Sequence, residues 1–220
     1  DIQGMQTESR FRGIGRYIGS LLDAFSEVSK DHEVFLVANA SFPESVMELR
    51  DRFSRPNSNS HVVQWHRTET ADHHTAEAEA TSATARSLFL AFIDELKPDL
   101  FLCSSIFEGY LNAAITAVPK RNERSYVYAA IVYDLIPYRM ASVYLQDENY
   151  AVFYRKKLAE LHNIDLCLTI SEFSASDIIE SKIVEDSSVA NISAGRDACF
   201  QPIRLDENQA ERLFKKFHIT

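Results

Sequence analysis

The sequence predicts an α/β protein: a Rossmann-like, doubly wound parallel sheet with helices on both faces. Three observations predict it. Six short, mostly apolar runs (Val34–Ala38, His61–Trp65, Leu100–Cys103, Tyr126–Val132, Leu166–Ile170 and Val189–Ile192) begin roughly 23–40 residues apart, the spacing of a strand plus a crossover helix. These runs mostly lack polar alternation, the pattern of strands buried on both faces. The segments between them carry apolar residues at helical spacing.

Taken in order, Asp1-Ile2 reads as the remnant of a first strand. Ile14, Ile18, Leu21, Leu22, Phe25 and Val28 then form one apolar stripe of a helix. Glu44–Phe53 is a short amphipathic helix. The polar stretch Arg55-Pro56-Asn57-Ser58-Asn59-Ser60 is a loop before the next strand. Thr75–Leu96 is a helix with Leu88, Phe89, Phe92, Ile93 and Leu96 on one face, closed by Pro98. Tyr150–Leu161 is a charged amphipathic helix, and Ser171 or Ser174 can cap the next one. Ser193–Asp206, with Gly195 and Pro202, reads as a linker leaving the sheet, and Asn208–Phe217 as a helix with little to pack on. Residues 1–200 are expected to form one domain and 201–220 a linker and helix leading toward a further domain. The chain does not open with Met, so it is expected to begin inside a longer protein.

Composition narrows the classes. With 220 residues, 45% hydrophobic and 25% charged, the chain has enough apolar surface for a real core. A net charge of −9 argues against nucleic acid as a partner. Arg155-Lys156-Lys157 is the densest basic run. It reads as a solvated helix face, suited at most to a weak peripheral membrane contact. No apolar stretch reaches 18 residues. Cys103, Cys167 and Cys199 are odd in number and form no CxxC, which suits a reduced, cytoplasmic setting. His73-His74 lacks the spacing of a zinc site, and no metal is expected.

In a parallel open sheet, ligands bind beyond the carboxyl ends of the strands. The loop from the first strand leads into Gly13-Ile14-Gly15-Arg16-Tyr17-Ile18-Gly19. Glycines at a helix start let an anion approach backbone N–H groups, and Arg10, Arg12 and Arg16 add positive charge. The spacing GxGxxxG misses the dinucleotide fingerprint by one residue. The second strand ends in Asn39, not in an acid for a ribose hydroxyl. Asp134 leaves an apolar strand at its carboxyl end, where it can accept a hydrogen bond from a substrate hydroxyl or cap the turn before Pro137.

These segments, in order, resemble the N-terminal half of a GT-B glycosyltransferase of the group 1 retaining type (glycosyltransferase family 4). The resemblance rests on Asp1-Ile2-Gln3-Gly4 with Gly13-Ile14-Gly15-Arg16-Tyr17, on Tyr133-Asp134-Leu135-Ile136-Pro137, on Leu168-Thr169-Ile170-Ser171-Glu172-Phe173-Ser174, and on Ala194-Gly195-Arg196-Asp197 before Phe200-Gln201-Pro202. It implies one Rossmann-like half of a two-domain enzyme. That enzyme would move a hexose from a nucleotide-sugar to a glycan or lipid-linked acceptor, as in bacterial surface polysaccharide synthesis, with no metal or other cofactor. Gly13, Gly15 and Arg16 would approach the donor phosphates. Asp134 would lie beside the reacting sugar, with Tyr133 where the family usually has His. Arg12, Glu108, Ser171 and Glu172 would border the acceptor. The donor-binding motifs would lie beyond Thr220, so this stretch alone is expected to be inactive. The alternatives are a non-catalytic α/β module binding a small molecule, and a dinucleotide-dependent oxidoreductase, which Asn39 disfavours.

Overall fold

A computed structural model describes residues 1–28, 30–54, 59–66, 76–195, 200–202 and 204–218. It contains two parallel ladders. The strand β1 (Val34–Asn39) pairs with β2 (Ser60–Trp65), and β3 (Leu100–Cys103), β4 (Val127–Val132), β5 (Leu166–Thr169) and β6 (Val189–Asn191) pair in that order. Register runs Leu36↔Val62, Leu102↔Ala129, Ile131↔Leu168 and Leu168↔Ala190.

Two residues join the ladders. The Ile2 N–H donates to the Val37 carbonyl (3.1 Å) and the Asp1 amine donates to the Leu102 carbonyl (2.8 Å). The Asp1-Ile2 stub therefore occupies a strand position between β1 and β3. The spatial order is β2-β1-stub-β3-β4-β5-β6. The chain moves outward to β2, returns across the stub, and moves outward the other way. That reversal is a topological switch point, the place at the carboxyl edge where open sheets of this kind bind ligands.

Helices cover both faces. They are α1 (Gly13–Val28), α2 (Pro43–Phe53), α3 (Ala76–Leu96), the short α4 (Ile136–Arg139) and α5 (Ala141–Tyr144), then α6 (Glu148–Glu160), α7 (Glu172–Ser181) and α8 (Glu207–Phe217). The strand period of two divides the core. On β1, Leu36 and Ala38 join Ile2, Val46, Leu49 and Phe53 on one face. Val37 faces the other way, toward Trp65, Phe89, Ile93, Phe101, Tyr128 and Tyr154. The ends follow local chemistry. Ser171 caps α7 by accepting from the Ser174 N–H at 3.1 Å, Asp147 caps α6 through the Tyr150 N–H, and Pro43 opens α2. Element bounds shift by a residue or two from the sequence reading; Ile170 and Ile192 lie just outside their strands.

The described residues of the 193–206 stretch form neither helix nor strand, and no residue of α8 is buried. Arg55, Pro56, Asn57, Ser58, His73, His74, Arg196, Asp197 and Cys199 lie outside the described residues. Cys103 and Cys167 are buried and free; burial raises both thiols, that of Cys167 to about 12. Among the described residues no helix is long and apolar enough to cross a membrane, and no cluster of side chains could hold a metal ion.

The basic run needs a correction. Arg155 and Lys156 are exposed, but Lys157 turns inward and is 5% exposed. Its ammonium donates to the Thr116 carbonyl and to Thr116 Oγ1, and lies 3.9 Å from Glu160. Run composition cannot reveal this, because neighbouring helix positions differ in direction by about a quarter-turn or more.

Candidate active-site crevice

The candidate site lies at the switch point, among the loop after the stub, the loop after β3, and the exit of β4. Residues Gln3–Met5 and Glu8–Phe11 form two short 3-10 turns rather than an open loop. Gln3 locks the floor. Its amide nitrogen donates to the Ile115 carbonyl (2.6 Å), and its amide oxygen accepts from the Ile115 N–H (2.9 Å) and from Asn39 Nδ2 (3.0 Å). Asn39 is fully buried and also donates to the Ala113 carbonyl (2.8 Å), while its Oδ1 accepts from the Ser41 N–H (2.9 Å). The residue at the ribose-binding position of a dinucleotide site is thus committed to the protein interior.

Across the switch point, Ser9 Oγ donates to Glu108 Oε1 (2.6 Å), and Ser105 Oγ donates to the same oxygen (3.1 Å). Glu108 is 8% exposed. It ties the two loops together. Next to it, the Tyr133 hydroxyl donates to the Ser104 carbonyl (3.0 Å). Burial, then the neighbouring Tyr17, Cys103 and Glu108, holds the Tyr133 phenol far above its ordinary range, so it stays protonated. Its ring meets Tyr17 edge-on at 5.8 Å, and the Tyr17 hydroxyl donates to the Ser193 carbonyl. The Ser174 hydroxyl donates to the Tyr133 carbonyl (2.7 Å), which brings the capped start of α7 to the same wall. Ser104 Oγ is buried there with no protein partner among the described residues.

The start of α1 forms the cationic side. Its first turn holds no acidic residue, and Arg12, Gly13 and Arg16 are exposed. A Cβ on Gly13 would meet nothing within 4 Å, whereas one on Gly15 would sit 2.4 Å from Arg10 Cα and 2.8 Å from two carbonyl oxygens. Gly15 is therefore required by the close backbone of Ser9-Arg10, while Gly13 leaves open space. Arg16 lies over the Phe200 ring at 5.7 Å.

Asp134 is exposed, and its Oδ1 accepts from the Ile136 N–H at 2.9 Å, the turn-capping role read from Pro137. The structure thus gathers Glu108 and Tyr133, with Ser171 joined to them through Ser174. Glu172 is held by Asn191 Nδ2 at 2.6 Å, on the β6 side.

No protein-family model matches the chain. It is similar along its whole length to a relative from Escherichia coli named serotype-specific mannosyltransferase WbdA, at 26% identity over 220 residues, all of this chain and 26% of that relative. A second protein of the same name and organism is 23% identical over 197 residues, covering 89% of this chain and 24% of the relative. The chain spans about a quarter of the length of these relatives.

Ser9, Ser105, Tyr17 and Ser174 were not singled out from sequence as site residues. Ser9 and Glu108 lie 99 positions apart, and hydroxyl residues in loops are too common to mark. The one usable signal was their position: each lies in, or beside, a segment at the carboxyl edge of the sheet.

Proposed function

We propose that this chain is the N-terminal, acceptor-side domain of a GT-B retaining hexosyltransferase of the group 1 type, family 4, acting in bacterial surface polysaccharide synthesis. The observation that carries this reading is the similarity along all 220 residues to a relative named mannosyltransferase. The crevice supplies suitable chemistry. In this reading residues 1–200 hold a glycan or lipid-linked acceptor, and 201–220 lead toward a domain that binds a nucleoside-diphosphate mannose. The enzyme works in the cytoplasm or at a membrane surface, and the stretch 1–220 alone turns over no substrate.

The sugar leaves a diphosphate and joins an acceptor hydroxyl, so negative charge develops on the leaving group. The backbone at the start of α1 around Gly13 and the guanidinium of Arg16 approach that charge, and preorganised donors of this kind are a large catalytic term. Gly15 lets the donor loop close on α1. Asp134 and Glu108 accept hydrogen bonds from acceptor hydroxyls and orient them, while Arg12, Ser171 and Glu172 border the same path. Tyr133 keeps its proton and spends it on Ser104, so it shapes the pocket instead of moving a proton. No metal enters this scheme.

The test uses full-length protein with nucleoside-diphosphate mannose and a glycan acceptor, in EDTA. The expected result is a glycosylated product with the donor's anomeric configuration, read by NMR. Asp134→Ala should lose most turnover while the protein stays folded, its melting temperature falling only by what the lost bond from the Ile136 N–H costs. An inverted product, or no donor consumption at all, overturns the reading.

A further inference from the structure

Tyr110, Tyr150 and Phe153 form an aromatic group outside the residues described above. Gly109 has φ of +101°, and a Cβ there would sit 2.4 Å from the Ala114 carbonyl oxygen. Only glycine makes this turn without strain, and the turn delivers Tyr110 to the first turns of α6. The Tyr110 ring lies 5.0 Å from Tyr150 and 5.4 Å from Phe153. Asp147 fixes the arrangement: its Oδ1 accepts from the Tyr110 hydroxyl (2.9 Å) and from the Tyr150 N–H (2.7 Å). Behind the group, Tyr150 meets the buried Tyr154 at 6.0 Å, and Phe107 stacks on Tyr154 at 4.8 Å. The three front rings are half-buried, and Leu111 beside Tyr110 is 74% exposed. The group is thus rigidly backed and still reachable.

Its position is at the carboxyl edge. The Tyr110 loop follows β3, and α6 starts on the path from β4. Asp134 leaves β4 at the same edge, since β4 is the parallel neighbour of β3. Flat apolar faces beside two carboxylates suit a ligand with a CH-lined face and a rim of hydroxyls. The carboxylates disfavour an anion, and the rings stack on an apolar face.

We propose that Tyr110 and Tyr150 form a stacking shelf beside Asp134 that holds a neutral pyranose unit of the acceptor glycan. This rests on the transferase reading above and adds residues to its acceptor path.

The test measures transfer by full-length protein to an α-linked mannotriose. Tyr110→Ala is expected to raise the acceptor KM about five- to tenfold, the effect of removing one aromatic stacking partner. The kcat and donor KM should stay within about twofold. Tyr110→Phe, which keeps the ring and drops the Asp147 bond, should restore the acceptor KM, and Tyr110→Leu should not. Tyr150→Ala gives a second, independent arm. Normal turnover with an unchanged acceptor KM in both alanine variants overturns the shelf while leaving the transferase reading intact. If wild-type protein transfers no sugar, saturation-transfer NMR of mannotriose against this chain decides. A signal on the sugar ring protons that vanishes in Tyr110→Ala supports the shelf, and no signal with the wild-type chain overturns it.

Discussion

Replacing Lys157 with Met should leave the protein as stable at neutral pH or more so, and change how stability depends on pH. Burial lowers the Lys157 ammonium from its ordinary 10.5 to about 8, with Glu160 and Cys103 pulling the other way and Arg86 adding to the fall. A difference of roughly 2.5 units corresponds to about 3 kcal/mol against the charged form in the folded state. The partners of Lys157 survive its removal. The Thr116 carbonyl still accepts from Arg86 (2.9 Å), Thr116 Oγ1 still donates to the Ile106 carbonyl (2.7 Å), and Glu160 keeps Arg86. A thioether of similar length removes a desolvated charge and breaks no hydrogen bond of Glu160, whose Oε2 loses a 3.9 Å ion contact while Oε1 keeps Arg86; replacing a buried ion in this way is neutral or stabilising. The sign follows from proton counting. Between about pH 8 and 10.5 the unfolded lysine holds a proton that the folded one has lost, so wild-type stability gains with rising pH from this group. The expected advantage of Lys157→Met over wild type therefore shrinks by about 2 kcal/mol between pH 7 and 9.5. Urea unfolding of both proteins across that range measures it. Parallel stability curves, or a variant several kcal/mol less stable at pH 7, would refute the reasoning.

Three further outcomes are expected. Gly15→Ala should lower stability by about 1–3 kcal/mol, because its Cβ meets Arg10 backbone, while Gly13→Ala should stay within about 0.5 kcal/mol; thermal melts distinguish them. Arg124→Ala should cost about 3 kcal/mol, since a 3% exposed guanidinium holds Asp165 together with the Tyr126 and Asn163 carbonyls. Burial alone would raise the Asp165 carboxyl, but Arg124, the Tyr128 N–H and Arg121 outweigh it and lower it. Its contribution is therefore present above about pH 4 and lost as pH falls through the lower folded value, so the variant's urea midpoint should fall less than wild type's between pH 5 and 2.5. Tyr133→Phe should cost about 1 kcal/mol for the bond to Ser104 and leave kcat of full-length protein within a few-fold; a loss of a hundredfold would give the phenol a chemical role.

The sheet was legible because its signal is local. Each strand is a run of three to six mostly apolar residues, and every one of the six appears where those runs fall. Asp1-Ile2 could be read as a first strand, but not as the piece that joins two ladders. That role depends on hydrogen bonds to Val37 and to Leu102, 101 positions away. Lys157 shows the reverse failure. Its neighbours Arg155 and Lys156 make the run look uniform, and only the path of the 114–118 segment beneath α6 turns one member inward.

The candidate site divides along the same line. The strand exit at Asp134, the helix start at Gly13 and the cap at Ser171 were legible because each is a local event. Glu108 was legible only as a loop residue, and the clasp that fixes it is set by the fold. Asn39 is excluded twice over. From sequence, Asn39 merely lacked the charge a ribose would want; in the fold its amide is spent on Gln3, Ala113 and Ser41. A position can fail as a ligand site for two independent reasons, wrong chemistry and prior commitment, and here both apply.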